Sequence, residues 1–436
     1  MPYAFSFVLH SRSPFYFSPS TLCLNPPLAF PSKNIYLNNL TCWPERQLPD
    51  FMILYLLNRH LTTQPTATIM KLPTPVQAVA QKLVYTRNLF YDLNSLVNDT
   101  SQTYYPDHRR KSKWSILRDQ LVWILRNKEL NRYYYVLGLD RRDENKSREL
   151  IGYRKFRLLR DRYNHKPKGL NFNYACMMRD KFLFGQFLTS LNVPTPKNVA
   201  LINCKGITWL HNMEQSSLEA IRHMNIDGFC KKLMGLKGEG AFPLRTENGK
   251  IYIENKEIRS SELKSKLDET YVWQERMKQH PEMARLHPQS LNTVRILTFN
   301  NNGKVEVFFC AMRMGTDGRN VDNYSAGGIA IGVNSETGQL FEFGQGKPGT
   351  IGRAYAHPNT GIRFSSFTIP HFQECLDIVC KVHRYLYGLH SIGWDVAITE
   401  NGPVIIEGND VWDGSFAMNT QENFKSRFLA MYQAAK

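Results

Sequence analysis

Gly393-Trp-Asp-Val-Ala-Ile-Thr-Glu-Asn-Gly-Pro-Val-Ile-Ile-Glu-Gly-Asn409 is the stretch whose reading decides the fold. It reads as two strands, Trp394 to Ile398 and Val404 to Glu407, joined at Glu400-Asn-Gly402, where Asn and Gly tolerate the left-handed backbone of a tight turn. The hairpin sets Asp395, Glu407 and Asn409 close together. Glu407 and Asn409 stand two apart, so both side chains leave the same face of their strand. A few hard oxygen donors shared with phosphate are what magnesium takes. Taken alone, the stretch also fits an ordinary surface hairpin with polar ends.

Working outward, Thr293 to Phe299, Val305 to Met312 and Ile329 to Val333 read as further strands, with Asn300-Asn-Asn-Gly303 as a turn. Earlier still, Asp180 to Leu191 reads as a helix that ends before Val193-Pro-Thr-Pro196, followed by strands at Phe229 to Leu233 and Lys250 to Ile253. The run implies an α+β architecture with antiparallel sheets. Phe229-Cys-Lys-Lys-Leu-Met-Gly-Leu-Lys-Gly-Glu-Gly240 carries strand lysines into a Gly-rich turn. Gly238 and Gly240 would let backbone amides approach phosphate oxygens while a lysine supplies fixed positive charge. A plain hairpin turn produces the same pattern.

In this order along the chain, the pieces resemble the ATP-grasp superfamily, which implies two α+β subdomains clasping ATP between antiparallel sheets. Arg179-Asp-Lys181 before the Val-Pro-x-Pro turn looks like the family's Asp-Lys helix. By that resemblance Lys181 and Lys231 contact the phosphates of ATP, and Gly235 to Gly240, with Gly238 and Gly240, form the loop that closes over them. The family usually has Lys-Pro where this chain has Lys231-Lys232, so the phosphate-facing lysine is either of the two, with Lys231 favoured. Val272-Trp-Gln-Glu275 looks like the hinge strand, which places Gln274 and Glu275 at the adenosine. Asn292-Thr-Val-Arg-Ile-Leu-Thr298, Ala311-Met-Arg313 and Val321-Asp-Asn-Tyr-Ser-Ala-Gly-Gly328 are similar in order to the segment before the metal site of amino-acid ligases. There Arg295, Arg313 and Asn323 would face the transferred phosphate and the acyl group, and Asp395, Glu407 and Asn409 would hold one or two Mg²⁺ ions.

A narrower resemblance, over about residues 170 to 430, is to the sugar-transfer-associated ATP-grasp family. It is carried by His287-Pro-Gln-Ser-Leu-Asn-Thr-Val-Arg295, Val321-Asp-Asn323, His357-Pro-Asn-Thr-Gly361 and Ile392-Gly-Trp-Asp-Val-Ala397. It implies an ATP- and Mg²⁺-dependent ligase that activates a carboxylate as an acyl phosphate and couples it to an amine or hydroxyl, with a sugar-linked acceptor and a role in polysaccharide or cell-surface glycan synthesis. His357, Thr360 and Gly361 would line the acceptor pocket, or form a structural His-Pro turn. A phosphotransferase acting on a sugar hydroxyl would have the same ATP site. A basic binding module with a vestigial ATP site is the reading from another class.

The 436 residues, 42% of them hydrophobic, allow a sizeable core divided into two or three subdomains. A formal net charge of +17 attracts nucleic acid, acidic membrane surfaces and anionic substrates without distinguishing among them. No RNA-recognition signature, Gly-x-Ser-x-Gly elbow or G-x-G-x-x-G fingerprint occurs, which argues against a specific nucleic-acid partner, a serine hydrolase and a nicotinamide enzyme. The eight Cys stand singly, without CxxC pairs, and read as reduced residues of a cytoplasmic protein. The longest apolar run, Phe51 to Leu57, is far below the roughly 18 residues of a spanning helix.

Residues 1–69 are rich in Ser, Pro and aromatics and read as a disordered or mis-started extension before Met70. Residues 70–168 read as a basic helical region, with apolar residues at helical spacing such as Ile116, Leu121, Ile124 and Leu125. Its basic runs, His108-Arg-Arg-Lys-Ser-Lys113 and Arg154 to Lys168, read as a solvated helix face, with contact to nucleic acid or acidic lipid as the other reading. Residues 169–436 are expected to form the ATP-grasp domain.

Overall fold

The computed structural model describes residues 89–98, 103–106, 108–142, 149–165, 174–235, 240–319, 322, 324, 327–347, 351–421 and 423–434. The extension expected over residues 1–69 lies outside them, as do Gly238 and Asn323. All described residues belong to one compact unit, Tyr85–Lys436.

Two sheets are built from β1 (Asn198–Asn203), β2 (Gly206–Trp209), β3 (Gln215–Ser216), β4 (Ile226–Lys232), β5 (Phe242–Glu247), β6 (Lys250–Ile253), β7 (Lys256–Ile258) and β8 (Tyr271–Glu275), then β9 (Thr293–Asn301), β10 (Lys304–Met314), β11 (Ile329–Val333), β12 (Leu340–Gln345), β13 (Arg353–Ala354), β14 (Ser391–Thr399) and β15 (Gly402–Asn409). The first has the order β3-β2-β1-β8-β4-β5-β6-β7 and the second β13-β12-β11-β10-β9-β14-β15. The pairings are antiparallel throughout.

The alternation along β9 shows how one strand serves two purposes. Val294 and Ile296 point into a core with Met312, Trp394 and Val396, against which the helix Phe372–Tyr385 packs through Cys375, Val379 and Val382. The opposite face begins with Thr293 and Arg295 and turns apolar at Leu297 and Phe299, which join a second core. A strand's two-residue period therefore runs a polar site into a core along one face, while the other face, Val294, Ile296, Thr298 and Asn300, is buried throughout. A third core, with Trp209, Trp273, Phe242 and Leu244, belongs to the first sheet.

The second core also gathers Ile116, Tyr134, Phe156 and Leu150 from before residue 165, and Trp412, Phe424 and Phe428 from the carboxy-terminal end. The helix Tyr153–His165 clamps the chain just beyond β15. The Asn164 amide donates to the Ser391 and Asp410 carbonyls, both at 2.8 Å, and its oxygen accepts from the Ser391 amide at 2.9 Å. Arg160 donates to the Trp412 carbonyl. Asp410 is held by Arg179 at 2.6 Å and by His165 at 2.6 Å. Buried backbone groups need partners, and here one polar helix face supplies them. Among the described residues no helix is long and apolar enough to cross a membrane.

Candidate active site

Antiparallel register places cross-strand partners on one face, so the site can be read off the ladder. Asp395 pairs with Glu407 across β14 and β15, and with Arg295 across β14 and β9. Arg295 pairs with Ala311 of β10, and Arg313 lies two residues farther along that strand. A row of carboxylate, carboxylate and guanidinium thus crosses three neighbouring strands. Ile406 is the extra residue of a bulge, since Val396 pairs with Ile405, and the bulge keeps Glu407 opposite Asp395.

Arg295 holds Asp395 through both nitrogens of a bidentate pair, Nε–Oδ1 at 2.5 Å and Nη2–Oδ2 at 2.9 Å. Arg313 reaches the same carboxylate at 3.1 Å and also Asp322 at 3.4 Å. Thr293 donates to Asp322 as well. Burial by itself raises the Asp395 pKa, but Arg295 and Arg313 outweigh it and hold the carboxyl at about 2. Glu407 goes the other way: burial first, then the charge of Asp395, push its pKa up against the pull of Lys231 and Arg313. Asn409 Nδ2 lies 3.2 Å from Glu407 Oε1 and donates to the Gly393 carbonyl at 3.3 Å.

The first sheet faces this row with lysines. Asp180 caps the helix Lys181–Ser190, its carboxylate accepting from the Phe182 and Leu183 amides at 2.9 and 3.0 Å. The cap leaves Lys181 on the first turn, where its ammonium donates to the Gly235 carbonyl at 2.6 Å. Lys231 on β4 makes no hydrogen bond or ion pair among the described residues, and burial lowers its pKa against the opposing charge of Glu407. Lys232, on the other face of the strand, is taken by Asp268 at 2.7 Å and Glu269 at 2.9 Å. Gly240, with φ of +69°, sits where a Cβ would meet the Lys232 chain at 2.5 Å, so the loop's end is specific to glycine.

These groups line one cleft of about 860 Å³ between the sheets. Lys181, Lys231, Gln274, Glu275, Arg295, Arg313, Asp395, Glu407 and Asn409 all border it. Gln274 donates to Asn198 at 2.9 Å, while its buried Oε1 has no partner. Glu275 is exposed and pairs with Lys197 at 2.8 Å. His357 and Thr360 are not in the cleft wall: His357 is fully buried and bonds the Gly315 carbonyl at 2.9 Å, and Thr360 bonds the Leu286 carbonyl. Their turn is structural. The cleft also holds groups that sequence reading did not name. Asp322 and Thr293 lie within segments quoted for other residues, whereas Tyr104, Tyr133 and Phe416, which also line the cleft, carry no local signal.

Unpaired Lys231, the partnerless Gln274 oxygen and two opposed carboxylates suit a nucleotide triphosphate carrying a divalent cation. Among the described residues no group of three or more His, Cys, Asp or Glu side chains is placed to hold a metal. The candidate set is instead two carboxylates and an amide, and the oxygens of Asp395 are shared with two arginines.

The family model described as sugar-transfer associated ATP-grasp matches residues 160–432. No curated protein matches the chain. Among solved structures, the L-amino acid ligase from Bacillus licheniformis is similar at 12% identity over 57% of this chain and 44% of that one, with a TM-score of 0.33. The D-alanine-D-alanine ligase from Helicobacter pylori is similar at 13% over 59% and 58%, with a TM-score of 0.34. The N5-carboxyaminoimidazole ribonucleotide synthetase from Thermotoga maritima is similar at 12% over 58% and 49%, with a TM-score of 0.32. The chain thus spans about half the length of the solved proteins it matches. With two antiparallel sheets around a lysine- and carboxylate-lined cleft, and a family match over well more than half of its residues, the chain belongs to the sugar-transfer associated ATP-grasp family and has the ATP-grasp fold.

Proposed function

We propose that this protein is an ATP- and Mg²⁺-dependent ligase that joins a carboxylate to an amine or hydroxyl. The observation that carries the reading is the facing arrangement of unpaired Lys231 on one sheet and the Glu407–Asp395–Arg295 row, with Arg313, on the other. Overall, a carboxylate oxygen takes the terminal phosphoryl group of ATP, ADP leaves, and the acceptor then displaces phosphate. Such a reaction depends on positioning and on cations placed where phosphoryl charge spreads.

Lys181 and Lys231 supply two of those charges, and Gly240 ends the loop beside them. Gln274 and Glu275 stand at the strand end expected to meet the adenosine. Arg313, braced by Asp322, supports Arg295, and both are positioned to face a substrate carboxylate and the moving phosphoryl group. Asn323, outside the described residues, would share that role by the family resemblance alone. Glu407, Asn409 and Asp395 are the residues that would hold Mg²⁺, which when bound neutralises phosphate charge. The raised proton affinity of Glu407 beside Asp395 supports this reading, because a divalent cation would relieve two opposed buried carboxylates. For Asp395 to share in it, the arginines must yield part of their hold. The family's description, sugar-transfer associated, is what supports a sugar-linked substrate, and with it a role in polysaccharide synthesis.

The test incubates the purified chain with ATP, Mg²⁺, pooled amino acids and amino sugars, and follows ADP, phosphate and new masses beside Asp395→Ala, Glu407→Ala. A coupled product that the double variant does not make is the expected result. ADP without coupling would point to phosphoryl transfer onto a hydroxyl, and no nucleotide binding would sink the reading.

A further inference from the structure

The helix Lys113–Asn127 buries little of its own apolar content. Ile116 and Gln120 face inward, Gln120 accepting from the Asn131 amide at 3.0 Å. Outward stand Trp114 at 80% exposure, Leu125 at 71%, Leu121 at 48% and Val122 at 39%. Together with Arg118 they fall within about 100° of arc at 3.6 residues per turn, forming one continuous ridge. The neighbouring helix over 89–98 adds Phe90 and Tyr91, 66% and 75% exposed, and the two helices are tied where Lys113 donates to Asn98 at 2.8 Å. An exposed apolar ridge like that of Lys113–Asn127 marks an interaction surface.

Charge says which partner it fits. Lys113, Arg118, Arg126 and Lys128 are exposed along and beside the ridge. The helix's single acid, Asp119, is turned inward to Lys111 at 2.8 Å and the Tyr134 hydroxyl at 2.8 Å, although Arg118 also approaches it at 3.6 Å. An apolar ridge containing Trp and Leu and edged by cations, with the neighbouring helix's Asp92 neutralised by Arg132 at 2.7 Å, matches a bilayer surface with anionic headgroups above acyl chains. A protein partner would need an acidic rim around an apolar groove, and nucleic acid would have no use for Leu121 and Leu125.

We propose that the helix Lys113–Asn127, with Phe90 and Tyr91, docks the protein on anionic membrane surfaces by laying this ridge into the headgroup layer. The proposal is independent of the ligase reading. Its test is co-sedimentation of the full chain with vesicles of phosphatidylcholine alone or mixed with phosphatidylglycerol. Binding is expected with the mixed vesicles only, weakening as salt shortens the screening length below about 8 Å. Trp114→Ser, Leu121→Ser, Leu125→Ser should bind at least ~10-fold more weakly with an unchanged thermal midpoint, as interfacial affinity follows apolar area. Arg118→Glu, Arg126→Glu should lose the preference for phosphatidylglycerol. Equal binding to both vesicle types, or to neither, overturns the proposal. So does self-association that the serine variant abolishes, which would assign the ridge to a second copy, or protection of Trp114 from hydroxyl-radical footprinting without vesicles, which would assign it to another segment of the chain.

Discussion

A strand turns successive side chains to opposite faces, so Lys231 and Lys232 meet different neighbours although they adjoin in sequence. Lys232 is neutralised by Asp268 and Glu269, and Lys231 stands in the cleft wall without a hydrogen bond or ion pair among the described residues. Its folded pKa lies below its ordinary value of 10.5, so at neutral pH it costs the fold stability. Lys231→Met should therefore leave the thermal midpoint equal or higher while nucleotide affinity, read by titration calorimetry, falls by ~10-fold or more. Lys232→Met should do the reverse. His383 gives a second prediction at this scale. It accepts from the Thr298 hydroxyl at 2.7 Å and donates to the Leu389 carbonyl at 2.9 Å, while Thr298 accepts from Trp394 at 2.7 Å. Burial, helped by His390, lowers its pKa from 6.5 to about 3. The unfolded chain then binds more protons as pH falls below about 6.5, so stability is complete above that value and drains away toward about 3. Thermal midpoints measured from neutral to acid pH should fall, and His383→Asn should start lower but fall less steeply.

At the scale of elements, the clamp by the helix Tyr153–His165 decides whether the end of β15 is held. Asn164→Ala would strand two carbonyls and one amide in a buried place, costing about 2–4 kcal/mol. Denaturant titration should show the midpoint falling with an unchanged slope, and a loss below about 0.5 kcal/mol would mean the helix only leans on the hairpin. Elements differed in how legible they were. The β14–β15 hairpin was readable because its turn chemistry and its alternation agree, and the helix after Asp180 because Val193-Pro-Thr-Pro196 stops it. The clamp was not, since Asn164 meets Ser391 and Asp410 across more than two hundred residues and no local pattern records it. Helical spacing revealed Leu121 and Leu125 as periodic but not as outward-facing, because period alone does not say which side is covered.

For the whole molecule, the cleft is a joint between two sheets whose charges complement a single bridging ligand. Nucleotide with Mg²⁺ should raise the thermal midpoint by the equivalent of about 2.7 kcal/mol at a hundredfold excess over its dissociation constant. Glu407→Ala should cancel most of that gain although it leaves the lysine side intact. The sheets themselves were foreseeable from strand and turn signals. The row across β15, β14 and β9 depends on register, and the places of Tyr104 and Tyr133 in the cleft wall depend on a segment from far upstream, so neither could be placed from spacing.

The clamp also has a consequence for the order in which the protein is made. Domains generally fold from the amino-terminal side during synthesis, at about 5–20 residues per second. The helix Tyr153–His165 emerges more than two hundred residues before the Ser391, Asp410 and Trp412 groups that satisfy it and the Phe424 and Phe428 that cover it. A nascent chain accordingly holds Lys181 and Lys231 long before it holds Asp395 and Glu407, so a product cut short between them carries the lysine wall of the cleft without the carboxylates that face it.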